Sequence, residues 1–290
     1  MNHEMRPMYW SIRRELWENR SIYVAPLIVA GVFLFGFLIS LITLPRRMNT
    51  ALALDAAKQR EIVRMPFSVI VGLLVMTAFV IGVFYCLDAL YGERRDRSIL
   101  FWKSLPISDR TTVLAKASIP LIVLPLLVFV IALTTQLLML FLSSIALLGN
   151  GSALAALWRD VKFFQTTIAV IYSLIAIALW HAPIYGWLLL VSAWARRATF
   201  LWAALPWLAI CVFEGMAFRT SHFAKFLGYR MVGWFKESFV FQPKHSVPND
   251  PLTIMTPGTF LTTPGLWIGL IFAALFLAAA VRLRRSRGPI

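Results

Sequence analysis

Hydrophobic positions in this chain do not alternate strictly with polar ones, nor do they form only narrow helical stripes. They mass into runs of about 20 residues or more, long enough to cross a hydrocarbon core of roughly 30 Å as helix. Six such runs are read from the sequence: Ile22 to Leu44, Phe67 to Leu90, Ala117 to Leu142, Thr166 to Val191, Ala198 to Phe218 and Pro264 to Val281. A backbone in lipid must satisfy its own hydrogen bonds, and these runs are too long and too continuous for barrel strands, so each is expected to be a helix. The fold class that follows is an all-α integral membrane protein with a single transmembrane domain over residues 1–290.

Between the runs, the pattern predicts shorter elements. Around Tyr9 to Tyr23, Tyr9, Ile12, Leu16 and Tyr23 fall near one face while Arg13, Arg14, Glu18 and Arg20 fall elsewhere. That spacing predicts an N-terminal helix lying in the headgroup layer, with Trp10, Arg13, Arg14, Leu16 and Trp17 at the interface. Between spans five and six, Phe223, Leu227, Met231, Trp234 and Phe235 recur at helical spacing, which predicts an amphipathic helix on the outer surface. Residues Gln242 to Pro251 read as irregular polar loop. Pro120 and Pro125 predict a bend near the inner end of the third span.

Composition agrees with the pattern: 60% of residues are hydrophobic and 14% charged. The formal net charge of +15 would suggest nucleic acid in a soluble protein, but here the bases collect at the ends of apolar runs, so lipid headgroups are the expected partner and nucleic acid is not. Arg13, Arg14, Glu15, Trp17 and Arg20 precede a first run of full spanning length, so that run is expected to remain as a span. With the N-terminus inside, the inner segments hold 4, 6, 2 and 4 Lys or Arg and the outer loops 5, 2 and 5. Both termini are therefore expected in the cytoplasm, although the basic loop from Pro45 to Pro66 falls outside against the rule.

Catalytic signatures are missing. No GxxxxGK[ST] and no GxSxG occur, His3-Glu4 is not followed by the second histidine of a zinc motif, and His3, His181, His222 and His245 share no metal-ligand spacing. Cys86 and Cys211 lie far apart inside apolar runs. The chain is thus expected to be no enzyme and to bind no cofactor or metal. Polar residues inside spans each need a reason. Asp88 can be met by water or by Arg94 and Arg95; Gln136 can bond another helix. His181, two residues before Pro183, can meet carbonyls freed by the proline; Glu214 faces either a substrate path or headgroup water. Together these four are candidates for a polar pathway.

One short segment carries more information. In "YGERRDRSILFWKSLPISDR", residues 91–110, Gly92 is expected to stop the second span in a left-handed turn. Glu93 to Ser104 then forms a short helix with Ile99, Trp102 and Leu105 to one side, Pro106 ends it, and Ser108 or Asp109 caps the next. Acids, bases and bulky apolar side chains are mixed here, as on a surface that docks a protein.

The stretch "LYGERRDRSILFWKSLPISDRTTVLAK", Leu90 to Lys116, resembles the signature region of the type-2 ABC transporter permeases, and "LWHAPIYGWLLLVSAWARRATFLWAALP", Leu179 to Pro206, is similar to that family's fourth span, basic loop and fifth span. The resemblance implies the transmembrane subunit of an ATP-driven exporter in a bacterial inner membrane. Two copies of this chain would pair with two copies of a separate ABC ATPase, which would bind the ATP and Mg. Glu93, Arg94, Arg95, Asp96, Arg97, Ile99, Leu100, Trp102, Leu105 and Pro106 would form the coupling helix. The rivals are a lipid-modifying membrane enzyme and an ion-coupled carrier working alone.

Overall fold

The computed structural model describes residues 5–104, 107–240, 250–286 and 288 of the 290-residue chain. Among them there is no β-strand, only an isolated antiparallel bridge between Phe239 and Met255. Six helical stretches are long and apolar enough to cross a membrane: Ser21–Leu41, Ala56–Arg95, Asp109–Ala146, Gly151–Trp194, Thr199–Phe218 and Pro264–Ser286. They correspond to the six runs read from the sequence, and the chain is built as a multi-pass membrane protein.

The helices are α1 (Met5–Glu18), α2 (Ser21–Leu41), α3 (Leu44–Leu52), α4 (Ala56–Ala89), α5 (Tyr91–Arg95), α6 (Ile99–Ser104), α7 (Asp109–Ser118), α8 (Leu124–Ala146), α9 (Gly151–Val161), α10 (Phe163–Trp194), α11 (Thr199–Phe218), α12 (His222–Ser238), α13 (Pro257–Thr262) and α14 (Pro264–Ser286). A π-helical turn, Ile119–Val123, joins α7 to α8 and contains Pro120. Pro125 follows at the start of α8. A proline removes a backbone donor, and the wider π turn is one way a continuous helix absorbs that loss.

Helix α10 lies at the centre. Its buried residues include Val170, Leu174, Trp180, Tyr185, Leu188 and Leu189, and it packs against α14, α4 and α8. Gly82 on α4 lets it approach: a Cβ there would lie 2.9 Å from the ring of Tyr185 on α10. Helix α1 and the last turn of α14 lie on one side of the bundle, here termed the terminal side, where Arg14 and Arg284 both pair with Glu93.

On the opposite, distal side the structure differs from the sequence expectation. The basic segment 45–66 is not a loop but α3 followed by an extension of α4, whose first turn is capped by the Asp55 carboxylate. Helix α9, also unanticipated, is capped by Asn150. These helices bury Met48, Ala51, Ala156, Leu157 and Val161 over the bundle, and the Asn150 amide donates to Asn49 at 2.6 Å. The predicted amphipathic helix is present as α12. The predicted irregular loop lies mostly outside the described residues.

The short helix after the second span is broken in two. Gly92 stays helical, its Cα facing the Asp88 carboxylate, and the left-handed residue is Arg97 with φ of 59°. The turn therefore falls five residues later than glycine's conformational freedom suggested.

Candidate functional site: an ion cluster beneath the elbow

Helices α5 and α6 form an elbow between spans two and three. Two sets of contacts hold it. The first is polar and uncharged at its centre: Ser192, near the end of α10, accepts hydrogen bonds through Oγ from the backbone N–H of Leu90 at 3.0 Å and of Tyr91 at 2.9 Å. Arg94 then donates through Nη1 to the carbonyls of Ala193 at 2.8 Å and Ala195 at 3.0 Å. Carbonyls at a helix end lack partners within the helix and carry the negative end of its dipole, so a guanidinium is well matched to that position. Elbow and α10 are thereby fixed to each other.

The second set is a buried ion cluster. Lys116 on α7 places Nζ 2.8 Å from Glu15 Oε1 and 3.1 Å from Glu93 Oε1. Arg284 in the last turn of α14 pairs through Nη1 with the other oxygen of Glu93 and through Nε with Asp109 at 3.0 Å. Arg14 reaches Glu15 at 2.7 Å and Glu93 at 3.2 Å. The Tyr85 hydroxyl on α4 donates to Glu15 Oε2 at 2.8 Å. Three acids thus face three bases, and Glu15, Glu93, Lys116 and Arg284 are each less than 10% exposed.

Taking such charges out of water costs several kcal/mol per ion, which is offset only when partners and hydrogen bonds are complete. Burial alone would raise the Glu15 carboxyl; Lys116, Arg14 and Tyr85 together hold it below its ordinary range. The cluster gathers side chains from α1, α4, α5, α7 and α14, so none of these can shift far without separating buried charges.

Other candidate residues divide by where they point. In the elbow, Glu93, Arg94 and Ile99 face inward, whereas Arg95, Asp96, Arg97, Leu100 and Phe101 face out. Trp102 is half-buried with the Arg14 guanidinium 3.8 Å above its ring. The apolar face open at the surface is therefore Leu100 and Phe101, the latter 61% exposed, not Ile99 and Trp102. Leu105 and Pro106 lie outside the described residues. On α1, Leu16 packs inward, while Trp10 and Trp17 are exposed on either side of Arg13, whose guanidinium sits 5.2 Å and 4.5 Å from their rings. Ser108, rather than Asp109, caps α7.

The four polar residues proposed for a pathway are not brought together. Asp88 is exposed and lies 3.7 Å from Arg95. Gln136 donates to the Phe67 carbonyl of α4 at 3.1 Å. His181 meets the carbonyls of Ile177 at 3.0 Å and Met231 at 3.1 Å, so its distal partner is α12 and not a carbonyl freed by Pro183. Glu214 has defined partners. It accepts from Thr220 Oγ1 at 2.7 Å and from the N–H groups of His222 at 2.6 Å and Phe223 at 2.8 Å, which closes the N-terminus of α12.

No family model, curated protein or solved structure matches this chain. Among the described residues, no group of three or more His, Cys, Asp or Glu is arranged to hold a metal ion. What the cluster can do is mechanical: it ties the exposed elbow to the ends of several membrane helices.

Sequence reasoning identified Glu93, Arg94 and Arg14 but placed them on a surface. It missed Glu15, Lys116, Asp109, Arg284 and Ser192 as a unit. The available signal was the pairing requirement itself: Glu15 stands beside Leu16 and Trp17 in an amphipathic segment and Lys116 borders an apolar run, so each needs a buried partner if its helix packs there.

Proposed function

We propose that this chain is the membrane-spanning subunit of a transporter, and that its elbow receives force from a separate nucleotide-hydrolysing subunit on the terminal side. The observation that carries this reading is the double character of the elbow. Leu100 and Phe101 are open at the surface beside Arg95, Asp96, Arg97 and Lys103, while Glu93, two turns earlier, pairs with bases on α1, α7 and α14. An apolar patch rimmed by charges is what a docking surface presents. Rigid ties beneath it are what a lever needs.

In this mechanism ATP binding brings the partner ATPases together and carries the elbows with them. A ligand moves an equilibrium only by its difference in affinity between two states, so the work must pass through contacts that differ between them. The ion cluster passes displacement to α7 and α14, and Ser192 with Arg94 passes it to α10. The π turn at Ile119–Val123 is the point in the third span where the ladder is already irregular and bending costs least. The terminal side is then cytoplasmic, α1 rests in the inner headgroup layer through Trp10 and Trp17, and two copies of the chain face each other across the path. The cargo is exported and contains apolar surface.

The reading is tested with Leu100→Asp and Phe101→Asp in the full chain reconstituted with its ATPase. Transport and stimulated ATP hydrolysis should fall together while membrane insertion persists. Full stimulation in both variants contradicts it.

A further inference from the structure

Arg230 is a buried cation that the ion cluster does not explain. Arg230, on α12, is 9% exposed, yet it forms no ion pair among the described residues. Its Nη1 donates to the Gly265 carbonyl at 3.0 Å and its guanidinium lies 4.7 Å from the ring of the fully buried Trp180. Nε and Nη2 are buried without a hydrogen-bond partner among the described residues. The nearby carboxylate, Glu237, is engaged by Tyr229 at 3.1 Å and Thr263 at 3.3 Å. Residues 241–249, which follow α12 closely in the chain, contain no Asp or Glu that would answer the charge.

The surroundings are shaped for this side chain. The guanidinium lies directly over Gly269 of α14, where a Cβ would collide with Nη2 and lie 2.6 Å from Cζ, so a larger residue there would displace the Arg230 head from this notch. Helix α12 is held over the notch by Trp180 Nε1, which donates to the Arg230 carbonyl at 3.0 Å, and by the contact of His181 Nε2 with the Met231 carbonyl.

Depth follows from helix geometry. Trp180 lies 14 residues before Trp194 on α10, and Gly269 lies 15 residues before Arg284 on α14. At 1.5 Å per residue both place the guanidinium about 21–23 Å along the helices from those terminal-side residues, so a hydrocarbon core of roughly 30 Å that begins there extends some 8 Å beyond it. An ionised residue at that depth is costly and marks a site rather than a packing position. Two guanidinium N–H groups in one plane match the two oxygens of a phosphate or carboxylate. A fully hydrated anion would not enter this apolar layer, whereas the headgroup of an amphiphile whose chains already lie in it would.

We infer that Arg230, in the notch made by Gly269 and Trp180, binds the anionic headgroup of an amphiphile in the distal leaflet, with α12 closing over it. The inference does not depend on an ATPase partner or on transport.

The test uses the purified full chain taken from vesicles holding equal amounts of phosphatidylglycerol and phosphatidylcholine, with retained lipid counted by native mass spectrometry. Wild type should keep the anionic lipid about ten-fold in preference to the neutral one, the worth of one charge-assisted bidentate contact. Arg230→Met should lose the preference. Gly269→Leu, which keeps the charge but fills the notch, should lose it as well. Inorganic phosphate should not displace the lipid; displacement would reassign the site to a free anion and overturn the amphiphile. Should either variant fail to fold, phosphatidylglycerol carrying a photoreactive headgroup decides on the wild type: crosslinks within α12 and the first two turns of α14 support the site, and crosslinks elsewhere overturn it. Equal retention of the two lipids by wild type, or an unchanged preference in the folded variants, also overturns it.

Discussion

Arg284 in the final helical turn donates to the carboxylate of Glu93, 191 residues earlier in the chain. The contact joins the last membrane helix to the elbow between the second and third, and Lys116 completes it from the third helix at 3.1 Å. Helices that depart from this point in different directions therefore share one anchoring carboxylate. Because each charge is buried, the anchor is stiff: separating one pair leaves an ion without compensation in a low-dielectric site.

That stiffness has a measurable size. Replacing Lys116 by Met, or Glu15 by Gln, should destabilise the detergent-solubilised chain by about 3 kcal/mol each, because each leaves a buried partner unmatched. The double variant should cost less than the sum, with a coupling energy of about 1–3 kcal/mol in a double-mutant cycle from denaturant unfolding. Simple additivity would mean that the pair does not interact.

Acid should loosen the same anchor. Glu15 has its folded-state carboxyl held below the ordinary range by Lys116, Arg14 and Tyr85 against the opposing effect of burial. A lowered folded value means that its contribution is fully present above the unfolded value of about 4.3 and is lost as pH falls through the lower folded value. Unfolding followed from neutral pH to about pH 3 should show stability falling, and Glu15→Gln should be less stable at neutrality with a shallower decline in acid.

Ser192 makes a separate prediction about the elbow's attachment to α10. Ser192→Ala removes the acceptor for the N–H groups of Leu90 and Tyr91, of which Leu90 is buried. An unsatisfied buried donor costs about 1–3 kcal/mol. Amide exchange at residues 89–93 should accelerate on the order of ten-fold or more while exchange in the centre of α10 stays slow.

The closest packing of the bundle can be probed at Gly82. An added methyl would meet Tyr185 at 2.9 Å, so Gly82→Ala should destabilise by about 1–3 kcal/mol, and Tyr185→Leu in the same chain should restore much of the loss. Thermal unfolding in detergent checks both.

The parts of this structure that could be read from sequence are those governed by one local rule. A run of about 20 apolar residues has no soluble alternative, so all six spans were legible within a few residues at most ends. Helix α12 was legible because its apolar positions recur at helical spacing. Helices α3 and α9 were not, because their short amphipathic patterns are embedded in basic or apolar surroundings and owe their order to packing on the bundle. Gly92 misled because a glycine permits a left-handed turn without requiring one, and Arg97 makes that turn instead.

The ion cluster was illegible for a different reason. Its contacting pairs are separated by up to 191 residues in the chain, and nothing local distinguishes Glu93 from the exposed Asp96 three positions later. Only the three-dimensional arrangement shows that the first points into the protein and the second out. Glu214 illustrates the same limit: its position near the end of a span left a path and headgroup water equally open, and its partners, the Thr220 hydroxyl and two N–H groups at the start of the next helix, could not be read locally.

The central claim is that the elbow is a handle gripped by a separate motor. Its most direct test is quantitative copurification of the tagged full chain from its native membrane in mild detergent, with retained proteins identified by mass spectrometry. The account predicts an ABC ATPase recovered in equal amount with the wild type, and recovery reduced about ten-fold or more by Phe101→Asp, the loss expected when one apolar anchor at an interface is replaced by a charge. A wild-type chain that transports with no such ATPase, or a Phe101→Asp chain that retains it in full, would contradict the account.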